Sequence, residues 1–208
     1  QNALSFAPSS AAYKIQSSVA TTRLNQIAAS TSMTPADAQK AFQTALSAGI
    51  NAALTATKLD PSDYQSWISL GNLYAQAVPL QVTGAYDSAK TAYDKAQELN
   101  PTNPQIPYII AQLNIAHRDN KAAQESLKTA ITLKQDFTAA IFLLSQLLVQ
   151  DGNVRDALTA TLAAAYFTPN NPNILFQIGV LYAAQNDLVN AAVALESAVA
   201  ANAQFANA

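Results

Sequence analysis

The sequence of 208 residues predicts an all-α fold, an α-solenoid of helix-turn-helix pairs. Three observations predict it. Alanine-rich runs dominate a chain that has only five glycines, and alanine has the highest helix propensity. Apolar helix tails stop at prolines, which cannot continue a helix. Two of these, Pro101 and Pro169, are 68 residues apart, which is twice 34, so the helix pairs return at a constant period.

Composition and charge exclude several classes of protein. The chain has 11 Lys and Arg against 13 Asp and Glu, with no basic cluster, which argues against nucleic-acid binding. No apolar stretch approaches the roughly 20 residues that cross a bilayer, so no membrane span is expected within this chain. The absence of cysteine and the single histidine exclude a disulfide scaffold and a metal site of thiolates or several histidines.

The N-terminal quarter predicts a degenerate helix pair over residues 9–58. Its first helix is amphipathic, and its second starts at Thr34 and Pro35, a capping residue followed by a proline that the first turn tolerates. The opening residues 1–8 resemble the tail of a preceding repeat helix, since Ala3 and Pro8 have the spacing of Ala96 and Pro101.

Four regular pairs follow, and residues 204–208 would begin one further helix. The first pair fits the period only after an insertion of six residues near 77–84, where Pro79 and Gly84 would break a helix. The pairs are predicted over 64–101, 104–135, 138–169 and 172–203.

Residues at fixed places in the period resemble the tetratricopeptide repeat family. That family has a large residue at position 4, Leu-Gly at 7 and 8, Tyr at 11, Ala at 20 and 27, and Pro at 32. Small residues recur because the helices cross closely there. The second unit departs from the pattern at Pro107, Asn114 and Gln135, and the third at Ser145 and Leu148. The first unit supplies Trp67, Leu70, Gly71, Tyr74, Ala89, Tyr93, Ala96 and Pro101.

The resemblance implies that the α-solenoid is right-handed. It also implies an interaction scaffold with a concave groove lined by the first helices of the pairs. Position 5 contributes an apolar, mostly aromatic ridge, and neighbouring positions contribute amides. No groove residue is charged, so the expected ligand is an uncharged peptide or partner helix held by amide hydrogen bonds and aromatic packing. The alternative is that these side chains only pack against one another. The predicted groove residues are Gln65, Ile68, Asn72, Gln105, Tyr108, Gln112, Phe142, Gln146 and Phe176.

The repeat pattern predicts that the chain starts and stops within a repeat, whereas a solenoid normally ends in a polar cap. One interpretation is a segment of a longer protein. The other is a structural subunit whose uncapped terminal repeats join head to tail into an extracellular filament.

No motif predicts catalysis or a cofactor. His117 lies in a turn beside Arg118 and Asp119, without a second histidine, a cysteine or a spaced carboxylate pair, and no glycine-rich phosphate loop occurs. An enzyme is not expected. The chain has low charge and many amide side chains, and residues 78–101 resemble repeat tails of large bacterial envelope membrane proteins. These features imply an extracytoplasmic location, at the cell surface or outside the cell. The alternative is the cytoplasm.

Overall fold

The computed structural model describes residues 9–202, and within that range the regular structure consists of ten α-helices without a β-strand. The predicted helix ends at 1–8 and 204–208 lie outside the described residues. The helices are α1 Ser10–Ala29, α2 Pro35–Leu59, α3 Tyr64–Ala75, α4 Ala85–Leu99, α5 Gln105–Ala116, α6 Asn120–Leu133, α7 Thr138–Gln150, α8 Val154–Phe167, α9 Pro172–Ala184 and α10 Leu188–Ala201.

Short polar side chains cap the starts of several of these helices. The Thr34 hydroxyl accepts a hydrogen bond from the backbone N–H of Asp37 at 3.2 Å, and Pro35 occupies the first turn of α2, as the sequence predicts. The side chains of Asp119, Asn153 and Asp187 accept equivalent bonds at the starts of α6, α8 and α10. Each cap satisfies a backbone N–H that the helix itself leaves without an acceptor.

The turns inside the pairs differ in length. The pairs α5–α6, α7–α8 and α9–α10 are each joined by three residues, whereas nine residues, 76–84, join α3 to α4. The predicted insertion, 77–84, falls within this loop. The longer loop is anchored to the protein because Ala77 is 3% exposed and Val78 is 8% exposed.

The described residues divide into two compact units. The first unit extends to Ile106 and includes Ile115–Arg118. Its core joins α1, α2, α3 and α4 through the buried residues Leu24, Ala45, Ala53, Leu70, Leu73 and Ala92.

The second unit comprises Pro107–Asn114 and the described residues from Asp119 onward. Helix α8 contacts both α7 and α9, so consecutive pairs pack against each other within this unit. Its core includes the buried residues Ile141, Ala164, Ile174, Ile178 and Ala194.

Small residues of first helices face larger residues of second helices within the pairs. A β-carbon on Gly179 would lie 2.6 Å from the Leu195 side chain. In the preceding pair the same two repeat positions hold Ser145 and Thr161, both fully buried, whose hydroxyls are hydrogen-bonded to each other. The recurring small residue therefore sets how closely the two helices of a pair approach.

Candidate functional site

The first unit carries four of the predicted groove residues, on α3 and at the start of α5. Gln65, Asn72 and Gln105 are exposed, and Ile68 is partly buried. Asn72 has a structural contact as well, because its side-chain oxygen accepts a hydrogen bond of 2.7 Å from the Tyr93 hydroxyl of α4. That contact leaves the Asn72 oxygen less available to a partner than the sequence pattern suggests.

The start of α3, where Gln65 lies, is fixed by Asp63. Burial opposes ionisation of this carboxyl, but hydrogen bonds from the Ser66 hydroxyl at 2.6 Å, the Lys14 ammonium at 3.0 Å and the Gln65 backbone N–H at 3.2 Å together lower the pKa of Asp63. Lys14 belongs to α1, so the carboxylate also connects two helices of the first unit.

The second unit carries the other five predicted residues. Tyr108, Phe142 and Phe176 recur every 34 residues on α5, α7 and α9, and each ring is partly buried. Gln112 and Gln146 follow Tyr108 and Phe142 by four residues, which places each amide one turn further along the same side of its helix. We call these five residues the aromatic face.

The two glutamines of the aromatic face are exposed, and within residues 9–202 their side chains make no hydrogen bond. The Phe142 ring packs against the apolar core of the second unit, which fixes the ring in place. Partly buried rings beside exposed amides form a surface that combines apolar contact with hydrogen-bonding capacity.

Two further residues adjoin the aromatic face, and sequence reasoning missed them. The Phe137 ring lies 5.0 Å from the Tyr108 ring, centroid to centroid, at an angle of 43°. The Lys134 ammonium lies 5.7 Å from the centroid of Phe137, close enough for a cation–π interaction. Both residues precede α7, outside the helical positions from which the groove was predicted. A positive charge thus lies beside a face that the sequence predicts to be uncharged.

His117 is exposed, and its ring is stacked on Tyr86 with centroids 3.8 Å apart. No cluster of three or more His, Asp or Glu side chains suited to a metal ion occurs among residues 9–202. Over the same residues, none of the helices combines the length and the apolar character needed to cross a membrane.

Comparisons with solved structures relate this fold to known proteins. A MamA crystal structure is 21% identical and aligns over 85% of this chain and 99% of its own, with a TM-score of 0.67. YrrB, described as a TPR protein with an unusual peptide-binding site, is 24% identical over 76% of this chain and 78% of its own, with a TM-score of 0.59. PilF of Pseudomonas aeruginosa is 14% identical over 93% of this chain and 79% of its own, with a TM-score of 0.64.

These likenesses confirm the predicted all-α, α-solenoid fold class. None of the curated proteins matches the sequence significantly. The family model described as tetratricopeptide repeat matches residues 35–104, 108–173 and 142–207, which is most of the chain. Members of this family are generally interaction scaffolds and not enzymes. The chain therefore belongs to the tetratricopeptide repeat family.

Proposed function

We propose that this protein is an interaction scaffold whose aromatic face holds an uncharged peptide or partner helix. One observation carries the proposal: partly buried aromatic rings recur at one repeat position on α5, α7 and α9, and on α5 and α7 each ring lies next to a glutamine without a hydrogen-bond partner in the described chain. The Phe142 ring packs against the core, so it loses little conformational entropy when a ligand covers it. Family membership supports a protein or peptide as the ligand, and the YrrB description names a peptide-binding site in that relative.

The chemistry of the face favours a ligand with backbone or side-chain amides. A glutamine amide both donates and accepts hydrogen bonds, so it pairs with an extended peptide backbone or with Asn and Gln side chains. Lys134 is exposed beside Phe137 and adds one positive charge at the edge. A single exposed charge contributes little to affinity in water, so the ligand is expected to remain largely uncharged.

The test uses the full chain to select 12-residue peptides from a random library, followed by fluorescence anisotropy with the selected peptides. Selected sequences should be poor in charge and rich in aromatic and amide residues. The variant Gln112→Ala with Gln146→Ala should weaken their binding about tenfold, since each lost hydrogen bond contributes roughly 0.5–1.5 kcal/mol. The matched control is Gln39→Ala with Gln43→Ala, two exposed glutamines of α2.

Ring truncation is a second, stronger test. Alanine at Tyr108, Phe142 and Phe176 should abolish binding of the selected peptides while circular dichroism still reports the helices. Because Phe142 packs on the core, the glutamine pair is the variant that separates binding from stability. Peptides that bind the glutamine variant and the parent equally would exclude the aromatic face as the site.

A second candidate function, a structural subunit that assembles head to tail into a filament, is favoured by two exposed apolar stripes. On α1, Ile15 is 66% exposed and Val19 is 61% exposed. On α10, Leu188, Val189 and Val193 are 66%, 76% and 58% exposed. Helix faces of this kind normally mark contacts with another surface, and we propose that the α10 stripe of one copy covers the α1 stripe of the next.

Light scattering and negative-stain microscopy of residues 1–208 test the filament. Assembly should grow with concentration and should fail in the variant Val189→Lys with Val193→Lys. A monomer at every concentration would remove this candidate and leave the peptide scaffold unaffected.

The extracytoplasmic location is also a proposal, supported by composition and by the resemblance to envelope proteins. Fractionation of the native cells with an antibody to this chain tests it. Recovery with cytoplasmic markers would contradict it.

A further inference from the structure

The three rings of the aromatic face lie on helices that pack side by side within the second unit. The Tyr108 ring of α5 lies 5.0 Å, centroid to centroid, from the ring of Phe137, the residue before α7. Phe142 of α7 packs in the same core cluster as Ile174 and Ile178 of α9. Helices in contact have axes about 8–10 Å apart. Because each ring occupies the same repeat position, the rings recur along the face at about that interval.

This interval limits the conformation of a ligand that contacts all three rings. In an extended strand, residues on one side recur every second position, about 6.6 Å apart, which is too short. In a polyproline II helix every third residue lies on one side, and three residues advance the chain by about 9.3 Å. In an α-helix, seven residues return to the same side and span about 10.5 Å. The interval therefore leaves two conformations, polyproline II and α-helix.

The glutamines of the face distinguish between these two conformations. Gln112 and Gln146 lie one turn from Tyr108 and Phe142, and their amides make no hydrogen bond within residues 9–202. An α-helical ligand already uses its backbone carbonyls within its own helix, so the amides would find no backbone acceptor there. A polyproline II helix has no internal hydrogen bonds, and its carbonyls are open to a donor. The amides therefore favour a polyproline II ligand.

The chemistry of the face also suits proline itself. Proline has no backbone N–H, so a proline-rich segment presents mainly hydrogen-bond acceptors. Each glutamine amide of the face provides N–H donors for such acceptors. Proline-rich segments bind aromatic-lined grooves because their preformed helix loses little entropy on binding. Aromatic rings with donors beside them are thus the surface that a proline-rich ligand requires.

The α9 end of the face differs from the other two helices. The position that holds Gln112 on α5 and Gln146 on α7 holds Val180 on α9, and Val180 is 44% exposed. The turn of the ligand that contacts Phe176 therefore meets apolar surface without an amide donor. Burial of apolar area stabilises such a contact, so this turn of the ligand needs an apolar residue such as proline.

We propose that the aromatic face selects a proline-rich segment in the polyproline II conformation, with a proline at every third residue. This inference rests on the proposed function, since it specifies the ligand of the same face. Successive prolines pack on Tyr108, Phe142 and Phe176. The carbonyls between them accept hydrogen bonds from the Gln112 and Gln146 amides.

The test is an NMR titration of the ¹⁵N-labelled full chain with two capped peptides of equal composition. The period-three peptide, acetyl-Pro-Ala-Gln-Pro-Ala-Gln-Pro-Ala-Gln-amide, has its prolines on one side of a polyproline II helix. The scrambled peptide, acetyl-Pro-Ala-Pro-Gln-Pro-Ala-Gln-Ala-Gln-amide, brings only one proline to any side. The period-three peptide should shift the side-chain amide signals of Gln112 and Gln146 saturably. It should bind about tenfold more tightly than the scrambled peptide, since two more prolines bury apolar area on the rings.

Equal binding of the two peptides would overturn the proposal, and so would the absence of a saturable shift with the period-three peptide. The variant Gln112→Ala with Gln146→Ala should bind the period-three peptide about tenfold more weakly, because two hydrogen bonds are lost. Unchanged affinity in this variant would exclude the contacts with the ligand carbonyls and would also overturn the proposal.

One ring variant and one control test the aromatic contact. Tyr108→Leu keeps an apolar side chain but removes the flat ring, and it should weaken binding of the period-three peptide about fivefold. Tyr166→Leu changes a tyrosine of α8 that is 82% exposed, and it should bind normally. Circular dichroism should report the same helix content in both variants. Unchanged affinity in Tyr108→Leu would contradict the contact between ring and proline.

The result is separable from the test of the proposed function. The peptides selected from the random library show whether the face binds a peptide, and the two proline peptides show which conformation and period it selects. If the selected peptides bind at the face and the period-three peptide does not, the polyproline II inference is wrong and the proposed function stands. If neither kind of peptide binds, both are wrong.

Discussion

The Tyr93 ring occupies the space that a β-carbon on Gly71 would need. Gly71 belongs to α3 and Tyr93 to α4, and Tyr93 is only 2% exposed. The hydroxyl of the same tyrosine donates to the Asn72 side chain at 2.7 Å. One aromatic residue thus sets the spacing of the first regular helix pair and reaches across to the partner helix.

The variant Gly71→Ala should destabilise the protein by about 1–3 kcal/mol, the usual cost of an added methyl group in a filled core. Alanine favours the helix, so a loss of stability would report the steric contact and not helix propensity. Urea unfolding measures it. In the background Tyr93→Leu the same substitution should cost much less, and an equal cost in both backgrounds would show that the ring is not the obstacle.

Tyr93 also predicts a pH dependence at the alkaline side. Burial raises the pKa of its hydroxyl above the ordinary value of 10.0. Above pH 10 the unfolded chain ionises this tyrosine while the folded chain keeps it protonated, so the free energy of unfolding should fall as the pH rises beyond 10. In the variant Tyr93→Phe the free energy of unfolding should fall less over this range. Urea unfolding from pH 8 to 11 measures the difference. The exposed Tyr166 provides the control, and Tyr166→Phe should leave the pH profile unchanged.

Asp63 predicts the opposite dependence in acid. Its pKa is lowered in the folded protein, so its stabilising effect is present above the ordinary carboxyl value of 3.8 and is lost as the pH falls through the folded value. Asp63→Asn should cost about 1–2 kcal/mol at neutral pH, since it removes the charge from the hydrogen bonds that this side chain accepts from Ser66 and Lys14, and little at pH 2. Lys14→Met should cost less, because that side chain is 40% exposed. A neutral-pH loss that persists at pH 2 would contradict this account.

The repeat period could be predicted from the sequence because it results from a local steric restraint. Gly71 and Gly179 lie where a β-carbon would collide with a large residue of the second helix. The small residue at such positions can therefore be recognised in the sequence. Thr34 and Pro35 were predictable for a similar reason, since capping depends on neighbouring residues only.

The surroundings of the candidate site were less accessible. Phe137 and Lys134 lie before α7, where no helical period applies, so their approach to Tyr108 depends on the path of a turn. The stack of Tyr86 on His117 depends on a loop whose length departs from the period. Sequence spacing carries no information about contacts of that kind.

The pair Ser145 and Thr161 tests whether small and large residues can be exchanged between repeats. Thr161 alone replaced by Leu should destabilise the protein by about 1–3 kcal/mol, because Ser145 and its hydrogen bond fill the space that Leu would take. Adding Ser145→Gly recreates the Gly179 and Leu195 combination and should recover most of the loss. Urea unfolding of the parent, both single variants and the double variant measures the coupling, and additive effects would reject the exchange.

Arg118 gives a prediction on stability because its backbone is left-handed in the turn after α5. Replacing it with Gly should increase the free energy of unfolding by about 1 kcal/mol, because a residue with a β-carbon pays roughly that amount in the left-handed region. The matched variant Gly152→Arg should lose a similar amount, since Gly152 has a φ of 75° and open space around its α-carbon. Urea unfolding measures both changes at neutral pH. If Arg118→Gly is destabilised instead, the arginine side chain stabilises the fold by more than its backbone conformation costs.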